Sequence, residues 1–303
     1  MLKKPVYFIL FGNYYLALCI VALSIETTVK NGFLISDFYY YLFVFLSVVV
    51  YYTHAYIGGK KNETSVNVRS LWYNQNHKFI FVTQIIFTIA IALIGTCLFI
   101  RYYTSLYMLG VWNWLLLLLF PVVALLYYGV IFPAQFRFTL RNIAWLKPFV
   151  IGFVCTGAIV IYPMLFHAIQ MHQKFYLSLP IFFYFFTNWL YTTAIAIMFD
   201  IKDFAADHNY RLKTFVVTKG LRKTIVYILL PLSLTSFFSF LIFALLKHFF
   251  WLQIVINTIP FFLLLTAAAS MQRRKGILYY LTVIDGLLFA KAAFGIATML
   301  FIK

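Results

Sequence analysis

Apolar runs long enough to cross a bilayer recur along the whole of this chain, and no soluble fold could bury them all. About 30 Å of hydrocarbon takes roughly 20 helical residues. Nine runs approach or exceed that length, near residues 5–25, 33–57, 79–100, 111–131, 148–169, 179–199, 224–247, 249–270 and 277–301. Hydrophobic residues fill 64% of the 303 positions and charged ones 10%, which excludes a soluble domain of this length. The expectation is an all-α, multi-pass membrane protein with about nine transmembrane helices. Pro121, Pro163, Pro231 and Pro260 fall inside runs and are expected to bend their helices. Lys247 and His248 mark a tight turn or a kink. No long polar stretch divides the chain, so residues 1–303 read as a single membrane domain.

Orientation follows from the cations, because positively charged loops stay cytoplasmic. With the N-terminus inside, 18 of the 24 Lys and Arg fall in inside segments. Five fall outside: Lys30, Arg101, Lys174, Lys247 and Lys303. The split predicts an N-terminus inside, a C-terminus outside and an odd number of spans, with the cytoplasmic membrane as the expected location. The net charge of +17 is then mostly a topology signal. It also suits anionic lipid headgroups or a phosphorylated substrate. It does not point to nucleic acid, since there is no soluble basic domain to present it. The opening "MLKKPVYFILFGNYYLALCIVALS" has a long apolar run and no clear small-residue cleavage site, so it reads as a retained first helix. Cys19, Cys97 and Cys155 stand singly within runs and form no CxxC pair.

Acidic residues are scarce, seven in all, yet three of them fall in "MFDIKDFAADHNYRLKTF", residues 198–215. If the helix continues past Phe199, Asp200, Asp203 and Asp207 share one face within an arc of about 60°. Neighbouring carboxylates on such a stripe stand roughly 5–6 Å apart and repel one another unless a cation sits between them. Oxygen-only ligands suit Mg²⁺, which keeps several waters and bridges carboxylates to substrate phosphates. The alternative is a solvated helix end balanced by Lys202, Arg211 and Lys213. Only Glu26, Asp37, Glu63 and Asp285 are left for the rest of the chain, and that concentration favours function.

The segment "DIKDFAADHNYRLKTFVVTKG" resembles the second aspartate-rich motif of the UbiA superfamily of intramembrane prenyltransferases. The matching positions are Asp200, Asp203, Asp207, Lys213, Thr214 and Gly220. "RNIAWLKPFVIGFV", residues 141–154, resembles the family's approach to its fifth helix, and "LYYLTVIDGLLF", residues 278–289, is a weaker likeness to the tail of divergent members. The resemblance implies a UbiA-like bundle with a lateral membrane-embedded cavity. There Mg²⁺ and aspartates hold an isoprenyl diphosphate, which leaves to give an allylic cation that alkylates a lipid-soluble, often aromatic acceptor. The 36 Phe, 23 Tyr and 6 Trp could line such a tunnel and stabilise a cation with ring faces, although core and lipid-facing packing accounts for most of them equally well.

The chain departs from the family at the first motif, which should end the second helix. No aspartate stands between Asp37 and Asp200. The polar groups available there are Thr53, His54, Asn62, Glu63, Asn67 and the run Asn74 to His77, a poor clamp for a hard cation. Cations can take part of that work, the candidates being Arg69, Lys78, Arg141 and Lys213, with positive-inside anchoring as the plainer role for each. The family's Tyr-x-x-x-Lys pattern after helix four is also incomplete: Tyr127 and Tyr128 are present, and Arg137 or Arg141 would have to substitute for the lysine. Asp285 and Lys291 fall inside the last run six residues apart, too far round the helix to face each other. A salt bridge to the Arg273–Lys275 loop is expected for Asp285. Two functions follow: a Mg²⁺-dependent prenyltransferase, or a non-catalytic relative binding an isoprenoid or anionic lipid. A transporter would need broken helices or intramembrane charges at corresponding positions in two halves, and the sequence has neither.

Overall fold

A computed structural model describes residues 3–57, 68–128, 140, 143–209, 212–273 and 275–301. Among them the chain is helical, with no strand. Apart from the short helix Tyr103–Tyr107, the helices are α1 Lys3–Phe11, α2 Tyr14–Lys30, α3 Phe38–Ile57, α4 Val68–Gln75, α5 His77–Arg101 and α6 Val111–Tyr128. They continue with α7 Lys147–Gln170, α8 Leu179–Lys202, α9 Phe204–Asn209, α10 Phe215–Lys219, α11 Leu221–Leu246, α12 Trp251–Ser270 and α13 Ile277–Phe301. Seven of these, α5 to α8 and α11 to α13, are long and apolar enough to span a membrane. The pair α1–α2, bent by 59°, makes an eighth if it is one span, and α3 is apolar over the shorter stretch Phe38–His54. Each of the nine apolar runs is therefore occupied by helix, but length and hydropathy alone do not reach the expected count of nine. The core is a ring in which α2 packs on α3, α7 and α13, while α8 packs on α7 and α11. Helix α5 stands outside it against α3, with Ile85, Ile86, Ile89 and Leu93 turned outward.

In hydrocarbon every backbone carbonyl must find a donor within the protein, and the prolines show how this is arranged. Pro121 has no N–H for the carbonyl of Leu117, four residues back, and the Tyr162 hydroxyl of α7 donates to it at 2.9 Å. Pro163 likewise frees the carbonyl of Ile159, which takes the Thr27 hydroxyl of α2 at 2.7 Å. A π-helical turn, Gly157–Ile161, precedes Pro163 and a second, Ile225–Leu229, precedes Pro231, so wider turns meet the two rings. The bend between α1 and α2 is pinned in the same way. Asn13 takes a left-handed conformation, φ 64°, which Asn tolerates. The freed Phe11 carbonyl accepts from Arg69 at 2.9 Å and from the Tyr73 hydroxyl at 2.8 Å, both on α4.

A charged cluster lies in the other half of the bundle. Glu26 is fully buried and pairs with Lys30 at 2.5 Å and with Lys291 of α13 at 3.3 Å. The two ammonium groups lie over the ring of Tyr184, and Lys30 also over Phe240. Gly295 leaves the space Glu26 fills, because a Cβ at that position would overlap the Glu26 side chain. The expectation that Lys30 belongs to an outside loop is thus corrected: it ends α2, inside the bundle.

Two outcomes are expected from this packing. Tyr162→Phe leaves the Leu117 carbonyl without its donor and lowers stability by about 1–3 kcal/mol, read by thermal melting in detergent, whereas exposed Tyr39→Phe leaves it unchanged. Glu26→Gln strands two buried ammonium groups and costs about 3–5 kcal/mol. Lys291→Met leaves a neutral Glu26–Lys30 pair and costs less, so the reverse order would contradict this account of the cluster.

Candidate functional site

The up-and-down order of the helices collects the C-terminal ends of α3, α6 and α8 and the N-terminal ends of α2, α7 and α13 at one end of the bundle. A cavity of about 340 Å³ opens between them, with Arg69 of α4 on its wall. Its charged rim, at the helix ends, is Lys147, Asp200, Lys202 and Asp203, and Tyr51, Tyr52, Tyr56, Tyr127 and Tyr128 also line it. Further along the helices the lining turns apolar with Leu16, Ile20, Ile151, Ile195 and Leu288. A polar mouth above an apolar shaft suits an amphiphile, polar head at the rim and hydrocarbon below.

The expected single stripe of carboxylates is corrected in one respect. Helix α8 stops at Lys202, Asp203 caps it, and α9 begins a new helix at Phe204, held by Asp207 N–H to Asp203 C=O at 2.9 Å. The three acids thus sit on two helical segments rather than along one continuous helix. Asp200, 3% exposed, accepts from the Lys147 ammonium at 2.6 Å. Asp203 is half-buried and pairs with Lys202 at 3.3 Å. Asp207 is buried. Its carboxyl is pushed up to about 6, chiefly by burial and further by the charges of Asp200 and Asp203, against the opposing pull of Lys147.

The donor set fits a Mg²⁺ ion of the kind that takes few protein ligands. Asp200 and Asp207 each keep a buried Oδ2 with no hydrogen-bond partner among the described residues. Two carboxylates completed by substrate phosphate and water are a usual Mg²⁺ environment. No group of three His, Cys, Asp or Glu side chains able to hold an ion is assembled among the described residues.

The other expected site residues divide. Asn62, Glu63, Asn67 and Arg141 lie outside the described residues. Thr53 is buried as the acceptor of the Asn13 amide at 3.0 Å. His54 is exposed, edge-on to Tyr128. Lys78 is exposed and away from the cavity, and exposed Lys213 lines a separate depression with His208 and Asn209. Arg69 does reach the cavity wall, but it donates to Phe11 and, at 2.6 Å, to Asn13 while stacking on Tyr56. It therefore holds the α1–α2 bend. Asp285 makes no ion pair with the described residues of the Arg273–Lys275 loop; Lys275 lies instead over Tyr279. Asp285 lines the cavity.

Sequence reasoning missed three participants. Lys147, counted only as an inside cation, is the partner of Asp200; Arg137, like Arg141, lies outside the described residues. Tyr51 and Tyr52 sit in an aromatic-rich run where nothing singles them out. Pairing across 53 positions, from Lys147 to Asp200, leaves no local signature, although Lys147 falls within the "RNIAWLKPFVIGFV" segment. No protein-family model matches the chain, and no curated protein matches it.

Asp207 allows a pH test. Its native pKa of about 6 lies above its ordinary value of 3.8, so between those values the folded state holds more protons than the unfolded one and stability falls as pH rises. Melting curves in detergent from pH 4 to 7 are expected to show this fall, and Asp207→Asn to remove it. A wild-type profile parallel to that of Asp207→Asn would contradict the assignment.

Proposed function

We propose that the chain is a UbiA-like intramembrane prenyltransferase that moves an isoprenyl group from an isoprenyl diphosphate to a lipid-soluble acceptor. In this proposal the chain crosses the cytoplasmic membrane nine times, N-terminus inside, with α1–α2 and α3 completing the count and the cavity opening to the cytoplasm. The observation that carries the reading is the coincidence of the aspartate motif with the rim of an amphiphile-shaped cavity: Asp200 and Asp203 stand at the mouth of an apolar shaft. Asp200 and Asp207 would hold Mg²⁺, which when bound neutralises the diphosphate and favours its departure. Lys147 and Lys202 add positive charge for the phosphate oxygens. The bond from the prenyl C1 to oxygen breaks with its electron pair on the diphosphate, the acceptor bonds to C1, and the acceptor releases a proton. The five tyrosines lining the cavity would offer aromatic rings to the developing allylic cation.

One observation favours the second reading, a UbiA-fold protein that binds an isoprenoid or anionic lipid without turning it over. Of the residues in place of the first motif, Thr53 is engaged by Asn13 and His54 is exposed, so neither reaches the rim.

Purified protein incubated with Mg²⁺, radiolabelled prenyl diphosphates and phenolic acceptors decides between them. Diphosphate release that drops about 100-fold or more in Asp200→Asn supports the transferase. Equal release in wild type and variant overturns it, and saturable binding without release supports the binding protein.

A further inference from the structure

Lys213, which the aspartate motif predicts for the diphosphate, stands instead outside the cavity, in a depression with His208, Asn209, Leu212 and Val217. The chain there is anchored from beneath. The Leu212 N–H donates to the Asp207 carbonyl at 2.9 Å, and Thr214, Val216 and Thr224 are buried. Gly220, at φ 80°, turns the chain from α10 into α11, a conformation that favours glycine. Between these anchors the basic side chains face outward: Lys213, Lys219, Arg222 and Lys223 are all exposed. Among the described residues none of the four joins an ion pair, since those pairs draw on Lys30, Arg101, Lys147, Lys202 and Lys291. Their depth is set by α11, which starts at Leu221 and is apolar along its length. Tyr227, 73% exposed, projects from its second turn, as tyrosines do at the headgroup boundary. The depression and its cations therefore lie at the bilayer surface.

We propose that this surface is a docking site for an anionic phospholipid, whose phosphate headgroup sits in the depression between α9 and α10. The Lys213 ammonium and the Asn209 amide are donors for phosphate oxygens. The unpaired cations at 213, 219, 222 and 223 select a headgroup with net negative charge over a zwitterion. Leu212 and Val217 give apolar contact where the headgroup meets its chains, which stay in the bilayer beside α11. An isoprenyl diphosphate is a poor occupant. No carboxylate lines the depression to hold Mg²⁺, and two apolar side chains make no shaft for a prenyl chain. The lipid site stands apart from the transferase reading and requires only that α11 cross the membrane.

The full chain in detergent is titrated with phosphatidylglycerol or with phosphatidylcholine of the same acyl chains, and bound lipid is counted by native mass spectrometry. Wild type is expected to bind the first phosphatidylglycerol at least about tenfold more tightly than phosphatidylcholine. Lys213→Gln is expected to lose most of that preference. Lys78→Gln, which removes an equal charge from an exposed position at the start of α5, is expected to keep it. No preference in wild type, or equal loss in the two variants, overturns the site, the latter by showing a response to surface charge alone. Inorganic phosphate separates a lipid from a soluble ion: the preference is expected to survive an excess of it, and displacement overturns the lipid assignment. Asp200→Asn is expected to leave the preference intact whether or not the chain transfers prenyl groups. Its loss in that variant would put the lipid in the cavity and overturn the depression as its site.

Discussion

Hydrocarbon offers no hydrogen bonds, and most of the polar detail in this bundle answers that demand. The carbonyls freed by Pro121 and Pro163 are met by hydroxyls from neighbouring helices, Tyr162 and Thr27. The interface of α8 with α11 is closed by Thr187, Ser236 and Ser239, which bond one another and the α8 backbone. Asn257 bonds Thr298 between α12 and α13 at 2.8 Å. These contacts tie helices whose apolar faces gain little from leaving lipid for one another. They also fix which helix ends meet, and the cavity exists because of that meeting.

Charge is distributed by the same demand. One buried acid, Glu26, is held by two lysines in the half of the bundle away from the cavity, where cation–ring contacts and Gly295 shape the space. At the cavity end, Lys147 holds Asp200, while Asp207 keeps an orphaned oxygen. The contrast separates structure from chemistry. The Glu26 cluster is closed, whereas Asp200 and Asp207 each keep a spare acceptor and Asp200 opens onto 340 Å³ of space.

How much of this was legible beforehand depends on the range of each interaction. Apolar runs are local, and each of the nine holds helix among its described residues. The aspartate motif is local as well, and two of its members do line the cavity. The break at Asp203 was not legible, because the spacing of Asp200, Asp203 and Asp207 is as compatible with one helix as with two. The partners of Asp200, Glu26 and Lys291 stand 53, 4 and 265 positions away, and only the second of these separations carries a helical signature. Arg69 looked like a phosphate ligand by type and position, yet the left-handed turn at Asn13 claims it. That turn has no hydropathy signal.

The central claim is that an isoprenyl diphosphate sits with its head at Asp200 and its chain in the shaft. Photo-crosslinking with a benzophenone-bearing prenyl diphosphate, followed by peptide mapping, tests it most directly. The account predicts labels on shaft residues such as Ile151, Ile195 and Leu288, suppressed by excess unlabelled prenyl diphosphate. Labels confined to the outward face of α5, or insensitive to the competitor, would contradict it.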